Sequence, residues 1–288
     1  MQRTKAMIKL ADRLFAEQSD RELFLDTLCE GRSQRKAVID FSGNLDWVQP
    51  LPACPFVKLV PDGMRVGELP EYSNGAIYPL DLSSCLTASA MVALDNAPKR
   101  ILDLCAAPGG KTMFAAAQFP GASFVANEVI GKRHGMLISN LKRCNIDAEV
   151  WGVDPKEIAL QHPDEFDLVI VDAPCSGQSL IARGQDAYGC FLPDTIRANA
   201  RRQRRILSEA IKFVAPGGAM LYTTCTFSPE ENELIIQQII EENSDVHAVE
   251  VAHLHEFQSI FSENKCYRLY PQMGFGAGGF SGLLAKTK

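Results

Sequence analysis

Beyond residue 76 the hydrophobic positions fall into short apolar runs separated by longer segments of helical period. The runs predict strands over residues 100–105, 123–127, 148–153, 168–171, 219–224 and 280–285. Between them, apolar recurrences at three and four residues predict helices over 86–94, 111–119, 131–144, 193–214 and 229–243. Strand and helix in alternation imply a doubly wound, Rossmann-like α/β sheet. In such a sheet the ligand lies beyond the C-terminal ends of the strands, so the residues that follow each run are the ones to inspect for chemistry.

The first 72 residues follow a different pattern. Amphipathic helices are expected over 7–15 and 21–28, then a Gly-Arg turn at Gly31, then extended pieces over 37–41 and 56–60. Pro50, Pro52, Pro55 and Pro61 interrupt anything longer. This reads as a small accessory region ending near 67–75, with the sheet domain over 73–288 and no catalytic-looking residue before it.

One turn organises the domain. An apolar run ends in Asp103, passes through Ala106, Ala107, Pro108, Gly109 and Gly110, and enters an Ala-rich helix at Lys111. Strand, glycine turn and helix start together present free backbone N–H groups to a ligand that can lie against the chain. The ending Gly110-Lys111-Thr112 imitates a phosphate-binding P-loop, but that pattern needs glycine where Cys105 stands. Because the hydrophobic run from Asp167 to Asp172 imitates the acidic strand of such proteins, a P-loop nucleotide-binding protein stays as an alternative. The dinucleotide fingerprint is absent, which leaves the Rossmann-type loop that binds S-adenosylmethionine. Glu128 follows the second strand, about 20 residues past the glycines, where a carboxylate accepts hydrogen bonds from ribose hydroxyls. Asp154 follows the third strand, Asp172-Ala-Pro-Cys-Ser-Gly177 the fourth, and Cys225 the fifth.

Composition narrows the setting. No 18-residue apolar run occurs, and Lys5, Lys9, Asp12 and Arg13 interrupt any signal-peptide core, so the expected location is cytoplasmic with no membrane contact. Nine cysteines without a Cys-x-x-Cys pair fit reduced thiols, not disulfides or a metal site. Cys29, Cys85, Cys105, Cys144 and Cys266 read as small buried hydrophobes, whereas Cys175 and Cys225 sit at strand ends beside the expected crevice. Ser228-Pro229-Glu230-Glu231 has the form of a capping box, which would start a helix three residues after Cys225 and lend its dipole to a thiolate. The net charge of −6 is unevenly spread: residues 226–288 carry nine acidic and four basic side chains, residues 81–225 fifteen of each. Arg197, Arg201, Arg202, Arg204 and Arg205 crowd one helix, and Lys132, Arg133, Lys142 and Arg143 another. Such clusters are solvated faces by default, yet an RNA-binding protein needs only one basic side.

The motifs at 103–112, 172–177 and Thr224-Cys-Thr-Phe-Ser-Pro-Glu-Glu-Asn-Glu233 resemble those of the RNA cytosine-5 methyltransferases of the Sun/Fmu (RsmB-like) family. The resemblance spans about residues 75–286 and includes Ala126-Asn-Glu128 with Arg133, Asn140-Leu-Lys-Arg143 and Gly75-Ala-Ile-Tyr-Pro-Leu-Asp81 with Ser84. It implies that Cys225 adds to carbon 6 of the target cytosine, that Cys175 assists release, that Asp172 holds the base near N3 and the exocyclic amine, and that Lys111 lies beside cofactor and base. Ala106 to Lys111, Glu128, Arg133, Asp154 and Asp172 would then bind S-adenosylmethionine. RNA, ribosomal before transfer, is the implied partner of an enzyme expected to be monomeric. Leu80 and Ser179 depart from the family pattern, as does Gly278-Gly-Phe-Ser281. A non-catalytic RNA-binding protein on the same fold is a further alternative, though it would be expected to lose a cysteine or a cofactor residue.

Overall fold

The apolar runs become neighbouring strands of one eight-stranded sheet. The computed structural model describes residues 2–31 and 35–287. The chain starts with α1 (Lys5–Leu14), capped by the Thr4 hydroxyl, which accepts the Met7 N–H at 3.2 Å. Next comes α2 (Gln18–Glu30), which ends at Gly31 in the left-handed region, φ 64°. Arg32 of the expected Gly-Arg turn lies outside the described residues.

A small antiparallel sheet follows, in the order β2-β1-β3, built from β1 (Lys36–Asp40), β2 (Val57–Leu59) and β3 (Ile77–Asp81). The expected boundary at 72/73 falls inside this sheet, because β3 pairs with β1 from Ile77 opposite Asp40 to Asp81 opposite Lys36. Helix α3 (Pro70–Ser73) leads into it. The turn at Gly75 passes so close to the carbonyl of Arg143 that a Cβ there would come within 1.6 Å of the oxygen, and its φ of +81° also demands glycine.

The large sheet is assembled by alternation. After α4 (Leu82–Ala88) come β4 (Arg100–Asp103), α5 (Gly110–Gln118), β5 (Ser123–Asn127), α6 (Gly131–Arg143), β6 (Glu149–Trp151), α7 (Pro155–Gln161) and β7 (Phe166–Asp172). Then follow α8 (Ser179–Ala182), α9 (Pro193–Ala210), β8 (Val214–Thr224), α10 (Glu233–Glu242), β9 (Val246–Ala248), β10 (Tyr267–Leu269) and β11 (Gly279–Lys286). The strand order is β10-β11-β8-β7-β4-β5-β6, with β9 also on β11. Strands β4 to β8 run parallel, and β11 pairs antiparallel with β8. Because successive side chains alternate, Ile101, Leu168, Ile170 and Leu221 face one buried cluster with α4 and α5, while Leu102, Val169, Val171 and Tyr222 face the other with α9 and α10. The expected doubly wound fold is the observed one.

Several expected elements change. The helix expected over 86–94 starts four residues earlier, because Asp81 accepts the Ser83 N–H at 3.0 Å and caps α4. It tightens into a 3-10 turn over Ser89–Ala93. The capping box expected at Ser228 does not form: Ser228 makes no cap bond, Pro229–Glu231 is a single 3-10 turn, and α10 begins only at Glu233. Glu231 is drawn away from the role of capping partner because its carboxylate is committed elsewhere, and the dipole that would have favoured a Cys225 thiolate is therefore not at hand. Helix α7 and strands β3, β9 and β10 had no separate signal, being short and formed by pairing or by the cap at Asp154.

Candidate active site

The turn after β4 is closed by Gly109 N–H donating to the Ala106 carbonyl at 2.6 Å, and Ala106 N–H donates across to Asn127 at 2.8 Å. Gly109 has φ +115°, and a Cβ on Gly110 would meet Leu80 at 2.8 Å, so the two glycines let helix α5 start directly under the cleft. Asn127 ties the strand ends together: its amide donates to Leu104 and Val153 carbonyls, both at 3.1 Å, and its oxygen accepts Val153 N–H at 2.9 Å. Asp103 is buried and accepts the Thr112 hydroxyl at 2.6 Å, and burial pushes its carboxyl up to about 7.

A cleft of about 440 Å³ runs from this turn to both strand-end cysteines. Ala106, Ala107, Pro108, Gly110 and Lys111 line one end; Asp172, Cys175 and Cys225 line the other. Lys111 is buried at the junction, its Nζ 3.4 Å from Asp172 Oδ2, while Thr223 donates to Asp172 Oδ1 at 2.7 Å. On the Glu128 side, Arg133 faces the cleft, pairs with Glu128 Oε2 at 3.0 Å and donates to the Ala107 carbonyl. Glu128 Oε1 takes the Ile130 N–H at 2.9 Å. Neither Glu128, which is buried and paired with Arg133, nor Asp154 lines this cleft; the Asp154 side chain caps α7 through Lys156 N–H at 2.9 Å and faces a separate depression shared with Lys156 and Arg205. For S-adenosylmethionine the fit rests on the glycine turn, which admits a ligand to the backbone, and on the buried carboxylate of Glu128 at the second strand end. Among the described residues no group of three or more His, Cys, Asp or Glu side chains could hold a metal ion.

The two cysteines meet at the cleft floor, with Sγ atoms 3.2 Å apart. Their surroundings differ. The Cys225 thiol is lowered, first by the hydrogen bond from Cys175, with Arg183 and Ser179 helping against burial and Asp172; the Cys175 thiol is raised by that same bond, by burial and by Glu231. Burial alone dominates at Cys54, Cys190 and Cys266, each pushed up to about 12, in keeping with inert core thiols.

Glu231 fixes this geometry. Its Oε2 accepts Ser176 N–H at 2.8 Å and Gln203 at 3.0 Å; its Oε1 accepts the hydroxyls of Ser176 at 2.5 Å and Thr226 at 3.4 Å. One carboxylate thus joins the neighbours of both cysteines. Gln178 adds a second tie, accepting Phe227 N–H at 2.8 Å and donating to Ser228 at 2.7 Å. Behind them, Arg268 and Glu233 form a buried ion pair, and Arg268 also donates to the Phe227 carbonyl at 2.7 Å. Sequence reasoning missed these partners and Arg183, which lines the cleft with its Nε 3.9 Å from Asp81. Glu231 lies within the third motif, and the signal that its side chain serves the cysteines, not a cap, is the set of polar partners in the two loops, Ser176 and Gln178 in one and Thr226 and Ser228 in the other.

Of the basic clusters, α9 exposes Arg197, Arg201, Arg202, Arg204 and Arg205, with Arg197 paired to Asp194 at 2.5 Å and Arg204 to Glu242. Arg143 leaves the α6 cluster: it donates to the Tyr72 and Ile77 carbonyls at 2.8 and 3.2 Å and packs on the Tyr72 ring at 4.2 Å. Among the described residues no helix is long and apolar enough to cross a membrane.

Comparison with known proteins shows what the chain is similar to. A family model described as 16S rRNA methyltransferase RsmB/F matches residues 90–284. A ribosomal RNA small subunit methyltransferase F of Serratia proteamaculans is 33% identical over 213 residues, 72% of this chain and 45% of that protein. The chain spans about half the length of the curated relatives it matches. Among solved structures, PH0851 has a TM-score of 0.84 at 22% identity, over 97% of this chain and 65% of that one. NSun6 from Pyrococcus horikoshii, solved with SFG, has a TM-score of 0.80 at 19% identity, over 99% and 98%. At these identities the structures share the fold.

Proposed function

The chain belongs to the 16S rRNA methyltransferase RsmB/F family, and from that premise we propose that it methylates carbon 5 of a cytosine in RNA, ribosomal before transfer, through a covalent adduct of Cys225 at carbon 6. S-adenosylmethionine, when bound, supplies an electrophilic methyl group on a sulfonium. The Ala106–Lys111 turn, Glu128 and Arg133 would hold it; Glu128 is paired with Arg133 at 3.0 Å. Asp154 caps α7 through the Lys156 N–H and does not line the cleft. The P-loop alternative lapses with the family assignment.

A cytosine is too electron-poor at carbon 5 to take a methyl group unaided. The Cys225 thiolate adds to carbon 6, and the ring electrons move to carbon 5, which becomes nucleophilic. Asp172, held by Thr223 and Lys111, accepts from the exocyclic amine and so orients the base at its N3 edge, with the Lys111 ammonium alongside to offset the negative charge that develops on the ring. After transfer, Cys175 assists loss of the carbon-5 proton, and the electrons of that bond expel the Cys225 thiolate. The target base leaves its stack to reach the cleft. What carries this reading is the pair of sulfurs 3.2 Å apart with Asp172 and Lys111 lining the same cleft.

The test separates the cysteines. With RNA containing 5-fluorocytosine, whose fluorine blocks the last proton loss, Cys225→Ala should form no adduct. Cys175→Ala should accumulate with ordinary RNA a covalent complex that survives denaturing electrophoresis. An adduct in Cys225→Ala and none in Cys175→Ala would reverse the roles.

A further inference from the structure

We propose that two flanking charges, Arg183 on the Cys225 side and Glu231 on the Cys175 side, polarise the thiol pair and so decide which sulfur becomes the nucleophile. The inference rests on the assignment of Cys225 as the attacking residue. Two like thiols in contact have no intrinsic reason to differ. Here they differ in what the backbone brings next to each.

Glu231 is fully buried, and its Oε2 takes two N–H donors, Ser176 at 2.8 Å and Gln203 at 3.0 Å, an arrangement that suits an ionised carboxylate. Ser176 follows Cys175 directly, so this negative charge sits one residue from the Cys175 sulfur and opposes a second negative charge there. On the other side, Ser179 N–H donates to the Cys225 carbonyl at 3.0 Å and anchors the start of α8 on Cys225. Arg183 closes that short helix, about one turn or 6 Å further along, and lines the same cleft. Asp81 lies 3.9 Å from the Arg183 Nε and also accepts the Ser83 and Ala277 N–H groups at 3.0 and 3.1 Å.

The remaining charged groups around Cys225 do not produce the asymmetry. Asp172, on β7, opposes a thiolate but is itself neutralised by Lys111 from α5. Removing Arg183 therefore leaves only the Cys175 and Ser179 hydrogen bonds to oppose Asp172 and burial at Cys225. Removing the charge of Glu231 removes the obstacle to ionising Cys175. Both residues act through the sulfurs, which makes them positioning residues, not catalytic ones.

The experiment is alkylation of the whole protein by iodoacetamide across a pH series, with each cysteine followed by peptide mass spectrometry. In the wild type Cys225 should react first, with a midpoint below the ordinary thiol range. Arg183→Gln should move that midpoint up by about one pH unit, a tenfold loss of thiolate at neutral pH. Arg183→Lys should return most of the shift, which a role in shape alone would not allow. Glu231→Gln should lower the pH at which Cys175 reacts, and the Arg183 variants keep the test decisive if this buried change impairs folding. An unchanged Cys225 midpoint in Arg183→Gln, with Cys225 still labelled first in the wild type, overturns this inference alone. Preferential labelling of Cys175 in the wild type overturns it together with the assignment of the nucleophile.

Discussion

Replacing Arg268 by methionine should cost this protein about 4 kcal/mol of stability, roughly the cost of stripping a buried carboxylate of its partner. Arg268 is 4% exposed and Glu233 1%. The guanidinium donates twice to Glu233, once to the Phe227 carbonyl at 2.7 Å, and lies 4.9 Å from the centre of the Phe261 ring. Methionine fills most of the volume but leaves Glu233 with one hydroxyl donor, Ser259 at 2.5 Å. Breaking such a pair from one side costs about 3–5 kcal/mol; the retained Ser259 bond lowers this, and the orphaned Phe227 carbonyl raises it by about 1 kcal/mol or more. Urea unfolding at constant m-value measures the loss, and a shift in Tm of roughly 10 °C should accompany it. Because an intact buried pair is worth little against apolar side chains of the same shape, adding Glu233→Leu should restore about half of the loss. A loss under about 1 kcal/mol in the single variant, or no recovery in the double, would refute the reasoning.

Glu128→Ala should weaken S-adenosylmethionine binding by about 1–2 kcal/mol, the loss of a charge-assisted bond to ribose; calorimetry finding no binding to the wild type would sink the cofactor site. Neutralising Arg201 and Arg205 together should weaken RNA binding regardless of sequence and reduce the slope of log K against log salt by about one to two, whereas an unchanged slope makes α9 an ordinary solvated face. Asp103, held near 7 in the fold by burial, keeps its proton longer than the unfolded chain does. Its contribution is therefore greatest below the ordinary carboxylate range and is lost as pH rises towards 7. Chemical unfolding of the cofactor-free protein should show Asp103→Asn gaining on the wild type by a few kcal/mol over that window; parallel stability curves would contradict it.

The parallel strands and the cleft residues could be read from sequence because both are written locally. Runs such as Leu168–Val171 are apolar on both faces, and Asp172, Cys175 and Cys225 follow strand ends directly. What escaped was decided at long range. Strand β3 exists through β1, some 40 residues earlier. Ser228 and Glu231 have the local form of a helix cap, but tertiary donors, Ser176, Gln203 and Gln178 among them, claim those side chains first. Arg143 looked like one charge in a basic run and is instead spent on two carbonyls and a tyrosine ring.

The first two helices bear on the cysteine loops from outside the sheet. Met7, Leu10, Phe24 and Leu28 share one buried cluster with Ile181, Phe191, Phe227 and Tyr270, and Arg13 pairs with Glu230 at 2.7 Å. The backbone of Gly31 runs against that of Gly184, leaving 3.0 Å to where a Cβ would stand. Undocking of these helices should therefore expose both loops together. Amide hydrogen exchange should accordingly find α1, α2, the α8 region and the 226–231 turn opening as one cooperative unit, at a lower free energy than the strands. On this packing, the loops that carry the two cleft cysteines depend on the first two helices of the chain.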